Sequence, residues 1–228
     1  MKDYRNWFRF ESWWWLVAIV AISLLVWSRQ IHVGGFSWSD APLHAMDGVF
    51  VLDLAKAAPI GHLKGWMQDY YARYPSLGMI VFYPPFFATV EATFYAIFGI
   101  SVLTARLSVL FFAVGGLLAM YWVARQLFDR TAGLLAAGLW ASLPGTVLWA
   151  RQVMLEVPTT AMLLATCGCY LQYKTSRSVT WLVLTAVGLV LATFTKQWAI
   201  FFGVVLLLDL VRSLGIRKTF STPHALAG

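Results

Sequence analysis

Charge is scarce in this sequence. Of its 228 residues only 12% are charged, while 60% are hydrophobic, and the mean hydropathy is +0.71. A soluble domain carries about a quarter charged residues, so a soluble fold is excluded and an integral membrane protein is expected. Cysteine is nearly absent too. The two present, Cys167 and Cys169, lie two apart inside an apolar run, where a helix points them about 200° apart. That spacing excludes a shared metal and fits helix packing. Heptads, low-complexity stretches and internal repeats are also lacking, which leaves no sign of a coiled coil or repeat array.

Basic residues outnumber acidic ones, 17 to 10, and the pI is about 9.6. In a membrane chain such an excess is first a topology signal, and nothing else here points to nucleic acid. The N-terminal stretch MKDYRNWFRFESWWWLVAIVAISLLVWS has a long apolar run with no small-x-small cleavage site after it, so it reads as a signal anchor. Trp13, Trp14 and Trp15 suit an interfacial aromatic belt, and Lys2, Arg5 and Arg9 hold that end in the cytoplasm.

After the anchor, apolar runs of spanning length occupy 104–124, 132–150, 157–173, 178–195 and 198–211. The segment YPPFFATVEATFYAIFG at 83–99 is barely long enough and has Glu91 at its middle. If it does not cross, Arg125, Arg130, Lys174, Arg177, Arg212, Arg217 and Lys218 all fall in the cytoplasm. If it crosses, the same residues fall outside. The charge distribution therefore predicts an interfacial amphipathic helix at 83–99, within one long external loop from about 29 to 103. The expected fold is an all-α membrane protein with about six transmembrane helices, the whole of 1–228 forming one module and the N-terminus cytoplasmic.

On that topology three segments share the outer face: the long loop, the turn WARQVMLEVP at 149–158 and the turn FTKQW at 194–198. Uncommon polar residues collect on them. In FSWSDAPLHAMDG, residues 36–48, Ser39 or Asp40 is a helix N-cap and Pro42 suits the first turn. Asp40, His44 and Asp47 then recur on one face at i, i+4 and i+7. Two readings stand there, a capping Asp40 with a solvated Asp47, or a functional carboxylate; an Asp/His pair is too few ligands for a metal site by itself. Arg73, in YYARYPSLGMIVFYPPFF, is placed either to hold a phosphate at an apolar boundary or to snorkel toward headgroups. Arg151 and Glu156 share one turn, as an i, i+5 ion pair or as solvated groups. Lys196 lies between two apolar runs, where a lysine is costly unless it reaches the interface or an anion. Arg106 begins a span on the outer side, against the charge trend, as a single tolerated exception or as a partner for Glu91 or an anionic lipid.

Taken in order, these segments resemble the C-type integral-membrane glycosyltransferases, in particular the protein O-mannosyltransferases and the lipid A aminoarabinose transferases. The resemblance runs from about Asp40 to Lys196. It rests on an early acidic residue (Asp40), then YPPFF with FG-x-S-x-x-x-AR at 98–106, ARQLFDRTAGLLAAGLWASLP at 124–144, RQVMLEVP at 151–158 and TK at 195–196. It implies inverting transfer of a sugar from a polyprenyl-phosphate donor to a protein, lipid or glycan acceptor on the extracytoplasmic face of a bacterial or archaeal plasma membrane.

Carried over position by position, the resemblance makes Asp40 the base and Glu156 the second-loop acidic residue. Arg73 matches the family's late first-loop cation with Tyr74 inserted before the proline. We expect Arg73, Arg151 and Lys196 to hold the donor phosphate, with His44 and Asp47 in support. Where many members have two adjacent acidic residues, this chain has Asp40-Ala41. Members are also longer, which makes the chain look like an N-terminal portion. No metal is required by this chemistry, and the cofactor is left open. The competing classes are a transporter or flippase fragment, which calls for polar residues deep in the spans, and a non-catalytic membrane assembly protein.

Overall fold

The computed structural model of the chain describes residues 13–75, 77 and 83–214. Lys2, Arg5, Arg9, Arg217 and Lys218, which bear on the charge argument, lie outside them. Among the described residues the fold is all-helical, with ten α-helices and no strand.

Helix α1, Trp14–Trp27, is apolar but for Ser23, whose hydroxyl donates to Ile19 O, and is followed by a connection without regular structure. Helix α2, Ala41–Ala57, starts with a proline in its first turn, where the missing N–H costs nothing. It ends at Ala58, in the left-handed region at φ 38°. Helix α3, Leu63–Arg73, follows, and packs Trp66, Tyr70 and Tyr71 around Phe50 of α2. Tyr70 Oη donates to Asp53 Oδ2 at 2.8 Å, which fastens α3 to α2. Helix α4, Phe86–Phe98, ends at Gly99, whose φ of 81° suits a residue without Cβ.

Helix α5, Val102–Leu127, is the axis of the bundle and the one helix among the described residues that is long and apolar enough by itself to cross a membrane. Ser101 caps it, accepting from the Thr104 N–H at 3.1 Å. Helix α6, Arg130–Ser142, is capped by Asp129, which accepts from the Ala132 N–H at 2.8 Å. The apolar run 132–150, expected as one span, is two helices. Pro144 forces Leu143 to an extended conformation (φ −55°, ψ 128°), so α6 stops and a short helix α7, Pro144–Trp149, begins. Helix α8, Glu156–Ser176, helix α9, Val179–Thr193, and helix α10, Ile200–Leu214, follow, with a single 3₁₀ turn at Gln197–Ala199 between the last two.

The core forms where α5 meets α4, α6 and α8. Ala105, Val109, Ala113 and Leu117 follow one another at four-residue spacing along α5, all fully buried. Small residues in such a stripe let neighbouring backbones approach closely. Gly116 is one point of closest approach: a Cβ there would stand 2.7 Å from the Trp140 ring. Hydroxyls on apolar helices are satisfied within their own helix, as with Thr159 to Leu155 O, Thr166 to Met162 O and Thr185 to Trp181 O. The outer faces stay apolar; Phe111, Leu135, Leu139, Val183, Phe201 and Leu208 are all exposed. A large apolar exterior over internally satisfied polar groups is what a lipid environment demands.

Consecutive long helices run up and down. One end of the bundle, here called the upper end, gathers the end of α1, the starts of α5 and α8, and the α6–α7 and α9–α10 junctions. Trp27 Nε1 donates to Ala141 O at 3.2 Å, Arg106 reaches the α1–α2 connection, and the Phe86 N–H donates to Phe194 O at 2.9 Å. The lower end joins α5, α8, α9 and α10 through Gln126 Nε2 to Gly168 O, Trp122 against Trp181, and Lys174 with Asp209.

Candidate functional site

The upper end holds most of the polar residues singled out in the sequence. Glu156 opens α8 in its first turn, where a carboxylate suits the positive end of the helix dipole. Its Oε1 accepts from Lys196 Nζ at 2.7 Å. Two residues 40 apart in sequence are thereby joined, and the Lys196 side chain is 19% exposed. The anion that makes Lys196 tolerable is supplied by the chain itself. Glu156 Oε2, in contrast, is buried and has no hydrogen-bond partner. An ionised oxygen in that state is poised to accept from a ligand hydroxyl or cation.

Arg151 does not pair with Glu156 as the i, i+5 alternative had it. Its Nη2 donates instead to Val26 O, at 3.0 Å, tying the α7–α8 turn to the end of α1, while its Nε has no partner. Between α7 and the first turn of α8 lies a groove of about 300 Å³, walled by Trp140, Leu143, Trp149 and Val157. Glu156, Thr146 and Thr160 supply its polar groups.

Asp40 sits at the N-cap position of α2 without acting as a side-chain cap. Its Oδ1 accepts from Ser39 Oγ at 3.0 Å, and the helix N–H groups do not engage it. The capping alternative thus holds for position and fails for the bond. Asp40 and Glu156 make no direct contact. Two tryptophans relate them: Trp38, two residues before Asp40, packs at 4.9 Å between ring centroids against Trp149, which walls the groove containing Glu156.

His44 and Asp47 are buried, so the solvated Asp47 of the sequence argument is not found. His44 Nδ1 lies 3.9 Å from Asp47 Oδ2. The His44 ring meets Tyr83 edge-on at 5.2 Å, and Lys196 Nζ stands 5.9 Å from the centroid of the same Tyr83 ring. Tyr83 therefore links the polar face of α2 to the Lys196–Glu156 pair. Sequence reasoning missed this role, although Tyr83 opens the quoted YPPFF run; an aromatic before two prolines was the available signal.

Glu91, the residue that kept 83–99 from reading as a span, is fully buried between α4 and α2. Tyr95 Oη is 3.3 Å from its Oε1 and 3.1 Å from Ala45 O. Burial pushes the Glu91 carboxyl well above the usual carboxylate range, with nearby Asp47 adding to the shift. Gly48 makes room for it, since a Cβ there would fall on the Glu91 carboxylate. Arg106 does not pair with Glu91 and binds backbone carbonyls instead.

Arg73 closes α3, is exposed, and among the described residues makes no contact that brings it to Lys196 or Arg151. Among the same residues no group of three or more His, Cys, Asp or Glu side chains converges on a common point. Cys167 and Cys169 are free thiols on α8. At the lower end Asp209 of α10, not singled out in the sequence, accepts from both Lys174 Nζ and Tyr170 Oη at 2.7 Å.

No curated protein and no solved structure matches the chain. The dolichyl-phosphate-mannose-protein mannosyltransferase family matches it over residues 83–228, more than half its length, from the tyrosine beneath Lys196 through all of α4 to α10. With Tyr83, Glu156 and Lys196 inside the matched region, the chain belongs to the dolichyl-phosphate-mannose-protein mannosyltransferase family.

Proposed function

We propose that the protein is a membrane glycosyltransferase that moves a sugar, with inversion, from a polyprenyl-phosphate donor to an acceptor on the extracytoplasmic face. Family membership supports the reaction class. The observation that carries the site is the gathering of Glu156, Lys196, Arg151 and the Asp40 segment at one end of the bundle.

The upper end is the outer face in this reading. Helices α1, α5, α6 with α7, α8, α9 and α10 are six spans, while α2, α3 and α4 belong to the external loop of about 29–103. The apolar exterior and the Arg125, Arg130, Lys174, Arg177 and Arg212 positions at lower-end turns support that orientation. Residues 1–228 act as one module.

In the reaction, an acceptor hydroxyl attacks the anomeric carbon as Asp40 removes its proton. The bond to the polyprenyl phosphate breaks with its electron pair on the phosphate oxygen. Direct inversion needs no covalent enzyme intermediate. The departing phosphate needs cations; Lys196, paired with the groove residue Glu156, and Arg151, in the turn before α8, are the candidates, with Arg73 of the external loop as a third. Glu156 holds Lys196 in place and offers Oε2 to a donor sugar hydroxyl. His44 and Asp47, through Tyr83, support Lys196 from below.

A panel of polyprenyl-phosphate sugars, dolichyl-phosphate mannose included, tested with the full-length protein in liposomes decides the donor. Turnover of at least one member, abolished by Asp40→Asn, is expected. Turnover retained by Asp40→Asn removes Asp40 from the mechanism.

A further inference from the structure

Arg106 stands in the second turn of α5 and is 3% exposed. Among the described residues no carboxylate pairs with its guanidinium. Nη1 donates to Ile31 O at 2.6 Å and to Val33 O at 3.1 Å, and Nη2 to Gly35 O at 2.6 Å. Three carbonyls from alternate residues of one stretch thus converge on one cation. The stretch is shaped for it: Gln30 and Gly34 lie in the left-handed region, at φ 58° and 71°, and nothing between them is helical.

A buried cation held only by backbone dipoles is costly, and an apolar side chain of similar volume would be cheaper to bury. The charge is therefore suited to a task that an apolar residue fails, the fixing of a segment with no secondary structure of its own. That segment leads to the site. Three residues after Gly35, Trp38 packs on Trp149, and two residues later Asp40 precedes α2. The connection between α1 and α2 is pinned first at Arg106 and then at Trp149, and Asp40 is what it delivers.

We propose that Arg106 is a positioning residue for Asp40, fixing the α1–α2 connection, and with it the place of the carboxylate, without touching substrate. The proposal rests on the assignment of Asp40 as the base. Its consequence is specific. Freeing residues 31–35 displaces the base, and a misplacement of about 1 Å costs about a hundredfold in rate, while the donor's own contacts persist.

The test uses the full-length protein with Cys167 and Cys169 replaced by alanine and a probe cysteine at Ile31, which is 7% exposed. Arg106→Gln should raise the rate of N-ethylmaleimide labelling at position 31 at least about tenfold by opening the segment. Arg106→Lys, with its charge kept but its fork of donors lost, should lie between. Unchanged labelling in both overturns the clamp.

Without the probe cysteine, Arg106→Gln should lower kcat about a hundredfold, with the KM for dolichyl-phosphate mannose within about twofold. Combined with Asp40→Asn it should lose nothing more than Asp40→Asn alone. A raised donor KM at unchanged kcat would make Arg106 a donor ligand, and fully additive losses would make it independent of Asp40; either overturns the proposal. If the glutamine variant does not accumulate in membranes, the lysine variant carries the same readouts. Turnover retained by Asp40→Asn itself defeats the assignment of the base, and the link to Asp40 with it, while the labelling still reports on the clamp.

Discussion

The two ends of the bundle carry the same pair of chemical groups and use them differently. At the upper end Lys196 meets Glu156 at 2.7 Å; at the lower end Lys174 meets Asp209 at the same distance, and each pair ties α8 to a later segment. At the lower end one carboxylate oxygen takes both Lys174 and Tyr170, and both side chains of the ion pair are more than a third exposed. Such a pair is a latch. At the upper end the lysine is more deeply held, its partner keeps a buried oxygen with no partner, and that oxygen borders a groove. The lesson is that an ion pair points to a site through the bonding capacity left over after the pair is made.

The sharpest way to break the comparison is to remove the carboxylate proposed as the base. Asp40→Asn should lower transfer by about 10²–10⁴-fold, the range that general-base loss costs, with expression in the membrane unchanged. A smaller loss would take the upper end's chemistry away from Asp40.

Next come the two lysines. Lys196→Ala should raise the donor KM by about tenfold or more, as expected when a phosphate loses one charge-assisted partner, and should change acceptor KM less. Lys174→Ala, the matched change at the latch, should leave both within about twofold and cost no more than about 1 kcal/mol of stability. Equal kinetic losses from the two substitutions would erase the distinction between the ends.

Two glycines then sharpen it through packing. Gly48→Ala places a Cβ on the Glu91 carboxylate beneath the upper site, and Gly168→Ala places one on the Trp122 ring at the lower end. Each should cost about 1–3 kcal/mol, read as a fall in Tm, but only Gly48→Ala should also lower kcat.

The smallest effect concerns Glu91. Its pKa is higher folded than unfolded, so the folded chain binds the proton more tightly. Stability from this group is fully present below the ordinary carboxylate pKa, about 4.3, and is lost as pH rises above it. Glu91→Gln should therefore reduce the fall in Tm between acid and neutral pH, and an unchanged slope would show that the carboxyl is not held neutral.

Much of this arrangement was legible in the sequence because its causes are local. The start of α2 at Ala41, with Asp40 in the N-cap position and Pro42 in the first turn, is read directly from FSWSDAPLHAMDG. The segment 83–99 does form one short helix, but Glu91 is buried against α2, a placement that an interfacial amphipathic helix did not foretell. Pro144 splits the run 132–150, which hydropathy alone reads as one span, since hydropathy averages over a proline that the backbone cannot ignore. The contacts that make the site were out of reach for a different reason. Glu156 with Lys196, Trp38 with Trp149 and Arg106 with the 31–35 carbonyls join residues 40 to 111 positions apart, and no periodicity encodes such pairings. Asp209 escaped notice inside an apolar run because its partners lie on another helix.

The central claim is that Asp40, Glu156 and Lys196 share the outer face while the Lys174–Asp209 latch faces the cytoplasm. Single cysteines at Ser39, Gln197 and Ser176, all exposed positions, tested in intact cells with a membrane-impermeant maleimide, address it directly. Labelling of the cysteines at 39 and 197 from outside, with the one at 176 reached only after permeabilisation, is the predicted result. Labelling that puts 39 and 197 on opposite sides, or 176 on the outside with them, would contradict it.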